Sequence, residues 1–238
     1  MHGISTWMGG RRHQLGAVVL LVALWACASA LGSAHGVSGK DGRYLESLTG
    51  AAIAPLMYLG AKHMVTGYDH LLFLVGVIFF LYRLKDIVLY VSLFTLGHSL
   101  TLLAGAIGGI HANANLVDAV IALSIVYKAF ENMGGFKAVG FQPDTRIAVL
   151  CFGLVHGFGL ATKLQEYALS RNGLVTNIVS FNIGVEIGQF LALAAVLLGL
   201  GYWRMRPGYL RHAYATNAAL MTAGFLLMGY QLVGYAIQ

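Results

Sequence analysis

The chain is 238 residues long, 58% hydrophobic and only 10% charged, with a mean hydropathy of +0.73. That balance excludes an ordinary soluble globular protein and places the chain in the membrane class. A net charge of +6 and a pI near 9.4 would suggest nucleic acid in a soluble protein. Here the basic residues fall between apolar runs, where they set topology, so nucleic acid is excluded as a partner.

At the N-terminus, Arg11, Arg12 and His13 precede an apolar run from Leu15 to Trp25, and the small residues of ACASALGSA follow. This order is that of a cleavable Sec signal peptide, cut after Ala30 or Ala34, so residues 1–34 are read as signal and cleavage region. An uncleaved first helix is the alternative. Loss of Cys27 would leave Cys151 as the last thiol, which excludes disulfides and argues against cysteine-based metal clusters. Residues 35–57 form a short extracytoplasmic segment, in which cleavage after Ala34 would make His35 terminal.

Residues 58–238 are expected to form an all-α, polytopic membrane helix bundle. Six runs are long and apolar enough to span, each needing about 20 residues: 58–82, 87–109, 114–133, 145–163, 174–201 and 213–236. With an exported N-terminus, the inner connections hold Arg83 and Lys85, then Lys128, Lys137 and Arg146, then Arg204, Arg206 and Arg211; the outer ones hold Lys163 and Arg171. The bias places the chain in a bacterial-type inner membrane with both mature ends on the periplasmic side. A shift of 58 residues lays FTLGH at 94–98 over FGLVH at 152–156 and aligns Thr66 with Ser124 and Asn182, and His70 with Lys128 and Glu186. Three repeated hairpins, as in transporters, or chance likeness among apolar hairpins would both give this pattern.

Polar groups within the spans carry the chemistry. A charge at the bilayer centre costs at least about 2.5 to 3.5 kcal/mol on insertion scales, so Asp69 and Glu186 are expected to face a polar interior. On one continuous helix, His63 and His70 lie two turns apart on one face while Asp69 points elsewhere, so a metal shell needs ligands from other helices. His98, His156 and Glu186 are the expected donors. Thr95 with Ser99, Asn182 with Glu186 and Gln189, and Ser124 with Lys128 and Glu131 form supporting polar stripes by their spacing. Imidazole and carboxylate without thiolate suit nickel, cobalt or zinc. For any single histidine an interhelical hydrogen bond is the plainer role, and His2, His13, His111 and His212 fall in the signal or in loops. Glycines in GFGLA, GVEIG and GAIGG are read as helix-packing positions.

The stretches HMVTGYDHLLFL, FTLGHSLTL, IALSIV, FGLVHGFGLA and FNIGVEIGQ, in this order from about His63 to Gln189, resemble the HupE/UreJ family of hydrogenase and urease accessory membrane proteins, its second subgroup in particular. The resemblance implies a six-span nickel permease or facilitator, and its H-x5-D-H motif falls on His63, Asp69 and His70 as transport residues. Of a second motif, F-H-G-x-A-H-G-x-E, only the later His-Gly is present, as His156 and Gly157. Gly153 and Leu154 stand where its first His-Gly should be and Gly159 where its Glu should be, leaving Glu186 as a replacement carboxylate from another helix. A divalent-metal permease is therefore the first reading, with nickel as its ion by resemblance and zinc as the alternative. A different class remains beside it: a zinc-dependent intramembrane hydrolase with Glu186 as general base or Ser99 as a nearby donor. A non-transporting assembly or sensory subunit is the third.

Overall fold

The computed structural model describes residues 50–166 and 173–237, the side chain of Lys163 excepted. The expected signal segment, His35 and Arg171 lie outside the described residues. Every regular element within them is helical: α1 (Ile53–Thr66), α2 (Tyr68–Ile78), α3 (Leu84–Gly108), α4 (Ala114–Asn132), the single turn α5 (Gly135–Ala138), α6 (Thr145–Glu166), α7 (Leu174–Arg204) and α8 (Tyr209–Ala236). Four of them, α3, α6, α7 and α8, are long and apolar enough to cross a membrane. Helix α4 has 19 residues but carries Asp118, Lys128 and Glu131.

The first expected span, 58–82, is not one rod. Its helix starts earlier, at Ile53, and breaks at Gly67, whose backbone is extended (φ −71°, ψ 100°) and whose N–H closes α1 on the His63 carbonyl at 2.8 Å. Helix α2 restarts at Tyr68 with Asp69 in its first turn, where a carboxylate suits the positive end of the helix dipole. At its other end the last carbonyls would have no intrahelical donor. Arg204 Nη2 donates to Ile78 O (2.5 Å) and Phe79 O (2.7 Å), and Tyr209 Oη also donates to Phe79 O (2.7 Å).

Side chains are distributed inside out. Phe190 and Leu198 are 69% and 77% exposed, whereas Asp69, Asp118, Lys128, Asn217 and Gln231 are buried. A protein in water would invert this, and a bilayer accounts for it, since lipid is no less apolar than a core. Charged interior groups are paired: Lys128 Nζ meets Glu131 Oε2 at 2.5 Å, and Thr145 Oγ1 donates to the other carboxylate oxygen.

Three helix pairs make the main contacts: α1 on α7, α3 on α6 and α4 on α8. The α3–α6 crossing is backbone on backbone. A Cβ at Gly153 would lie 2.4 Å from the Phe94 carbonyl oxygen, and one at Gly157 2.2 Å from that of His98. Only glycine fits so close an approach. Across the same seam Thr101 Oγ1 donates to Leu154 O at 2.6 Å.

Connections gather at two ends. Asn132 Nδ2 reaches Gly76 O and Asn217 Oδ1 (2.8 and 2.9 Å), so the turns after α2 and α4 and the start of α8 share one end with Arg204. At the opposite end Asn177 ties Gly50 and Ala52 to α7, and Gln165 Nε2 holds the carbonyls of Gly105 and Ile110.

Candidate metal site

The break at Gly67 builds the site. Seven residues on one helix rise about 10.5 Å, yet the His63 and His70 rings lie 5.2 Å apart, centroid to centroid. Folding the chain at Gly67 swings α2 so that both imidazoles point into the same space. His70 then becomes the hub, 5.1 Å from His156 on α6 and 6.3 Å from His98 on α3. His98 and His156 are held there by the glycine-lined crossing just described. His63 rests against Phe181, and His156 against Phe73 and Phe94, so the cluster stands where the two apolar cores meet.

Hydrogen bonding fixes how these rings present themselves. Asp69 Oδ1 meets His70 Nδ1 at 2.9 Å, and an ionised carboxylate can only accept, so Nδ1 carries the proton. The Phe152 carbonyl oxygen, 2.7 Å from His156 Nδ1, imposes the same choice there. In both neutral rings the opposite nitrogen, Nε2, is then a bare lone pair. The Nε2 atoms of His70, His98 and His156 are buried and have no hydrogen-bond partner among the described residues. Two buried imidazole acceptors left open beside a third ring whose Nε2 also has no partner are costly unless something visits them. A cation fits that need, with Asp69 behind His70 as the orienting carboxylate usual for a metal-ligating histidine. Among the described residues, however, no three His, Cys, Asp or Glu side chains are placed to hold one ion together. The rings are neighbours, not a closed shell.

Of the six expected ligands, the structure thus brings together His63, Asp69, His70, His98 and His156. Asp69 leaves α2 in a different direction from His70, yet in the first turn of that helix its carboxylate bonds the adjacent ring. Glu186, half-buried on α7, takes a long hydrogen bond from Asn182 Nδ2 at 3.4 Å. One turn further, Gln189 shares with His70 a cavity of about 10 Å³, the room of roughly one water molecule, lined also by Met64, Phe73, Val91 and Phe94. Among the supporting polar residues, Thr95 and Ser124 bond back to their own helices, at Val91 O and Ile121 O. Ser99 Oγ and Asn182 Oδ1 are buried without a hydrogen-bond partner among the described residues. The three residues aligned by the 58-residue shift do unlike things: His70 bonds Asp69, Lys128 pairs with Glu131, and Glu186 takes Asn182.

Sequence reading missed Gly67, Arg204 and Tyr209 as builders of the site. Gly followed two residues later by Asp is a helix-start signal, and it was hidden inside an apolar run. Nothing local marks Arg204, whose partners lie 126 and 125 residues away.

An all-helical bundle that turns its apolar side chains outward and buries histidines and carboxylates is a multi-pass membrane protein. The family model described as HupE / UreJ protein matches residues 40–238. The chain belongs to the HupE / UreJ family, a group of accessory membrane proteins linked to nickel and cobalt handling. No curated protein and no solved structure matches it significantly.

Proposed function

We propose that the chain is a divalent transition-metal permease or facilitator that supplies metalloenzyme maturation, with nickel as cargo and cobalt or zinc as alternatives. The observation that carries this reading is a chain of four neighbouring imidazoles from α1, α2, α3 and α6, with His70 at its centre and three of the rings buried with open Nε2 atoms. In the proposed topology, residues 1–34 are a cleaved signal, residues 35–52 lie outside, and α1 with α2 forms the first of six spans. His63 then faces the outer half and captures the ion. His70, oriented by Asp69, passes it between His98 and His156. Glu186 and Gln189 flank the route on α7. A permease must release what it binds, and rings spaced at 5 to 6 Å as separate stations suit weak, successive sites better than a tight cage would.

The test is cellular nickel and cobalt accumulation in cells expressing the wild type, His70→Ala or His98→Ala, with membrane protein levels measured in parallel. Both variants are expected to lose most accumulation while remaining in the membrane. Unchanged accumulation in both would overturn the reading.

A further inference from the structure

At the end of the bundle opposite Asn177, away from the histidines, lies a second cavity of about 340 Å³, lined by Tyr82, Arg204, Arg206, Gly208, Tyr209 and Leu210. Its chemistry is cationic and aromatic. The Arg204 guanidinium sits 4.6 Å over the Tyr82 ring, and that of Arg206 sits 4.6 Å over the ring of Tyr202, whose hydroxyl it also contacts. Arg204 spends Nη2 on the α2 carbonyls, but its Nε is buried with no hydrogen-bond partner among the described residues. The N-terminus of α8 opens on the same cavity, and its N-cap, Gly208, provides no side-chain cap. The dipole of a 28-residue helix therefore presents its positive end there unneutralised.

Two arginines and an uncapped helix N-terminus together ask for an anion with several acceptor oxygens. Its setting narrows the source. Tyr82 and Tyr202 are 62% and 58% exposed, and exposed tyrosines at the end of a membrane bundle mark the headgroup level. Arg83, Lys85 and Arg211 stand nearby in the chain. Basic pockets between helices at this depth take phospholipid headgroups. We propose that this cavity binds the phosphate of an anionic phospholipid, with Arg204, Arg206 and the start of α8 as its recognition elements. The bound headgroup would clamp the turn after α2 to the α7–α8 corner and so brace the short helix that carries His70.

Native mass spectrometry of the full chain in neutral detergent tests this, with phosphatidylglycerol, phosphatidylethanolamine or inorganic phosphate added. Arg204 also caps α2, so the informative variant is Arg206→Gln, an exposed site where folding is not at stake; Arg211→Gln, outside the cavity lining, is the control. The wild type and the Arg211→Gln variant are expected to retain phosphatidylglycerol over phosphatidylethanolamine, and Arg206→Gln to lower that preference about fivefold. Equal retention of both lipids, a preference untouched by Arg206→Gln, or complete displacement of lipid by inorganic phosphate would each overturn the assignment.

Discussion

In the proposed permease, the Asp69–His70 pair is where a side chain would be prepared for an ion. Asp69 holds the proton on Nδ1, which leaves Nε2 as the donor and raises the basicity of the ring. Asp69→Asn keeps the size but removes the charge and lets an amide N–H face the ring instead. Partners of this kind are worth about 10- to 100-fold in metal affinity, so nickel uptake at subsaturating concentration should fall by that order while expression holds. The readout is uptake against concentration, in which a weakened site shifts the half-saturation point upward.

Among the elements, the broken first span is where structure and sequence part. Residues 58–82 read as one apolar run because eleven apolar-rich residues of α2 follow α1 with a single glycine between them. Hydropathy reports burial in lipid but not where a rod bends. The break is stabilised from afar, by Arg204 and Tyr209 on the carbonyls that end α2, and no local pattern encodes those partners. Histidines were legible as costly groups in oily surroundings; their spacing was not, because it depends on this bend and on the Gly153 and Gly157 crossing. Gly67 itself is testable. Its φ of −71° suits any residue, but a Cβ there would lie 2.9 Å from His63 O and from His70 Nδ1, and 3.2 Å from Asp69 Oδ1. Gly67→Ala should therefore leave helicity and membrane level intact by circular dichroism and blotting, yet cut uptake as Asp69→Asn does. Arg204→Met should act on stability instead. Phe79 O keeps Tyr209 Oη and Ile78 O keeps the Leu81 N–H, so the loss is that of one charged donor, about 1.5–3 kcal/mol in all, and it should appear as a lower unfolding midpoint in detergent.

For the whole molecule, the decisive question is which end faces out, because it sets the direction in which the proposed route would take an ion past the histidines. The turns after α2, α4 and α7 share one end through Asn132 and Arg204, with Arg83, Lys85, Lys137 and Arg206 in or directly beside them. Those after α3 and before α7 share the other with Asn177 and Gln165. Positive charge in short loops stays inside, so the first end should be cytoplasmic and His63 should stand on the outer side of His70. Single cysteines report this in a Cys27→Ser, Cys151→Ser background. Ile110→Cys and Val139→Cys sit at opposite ends, 47% and 68% exposed. A membrane-impermeant maleimide should label the first in intact cells and the second only after permeabilisation. The reverse pattern would put the Asp69–His70 pair on the outer side of His63, and capture from the periplasm would then have to begin at a buried, hydrogen-bonded imidazole, which a facilitator could not use as its mouth.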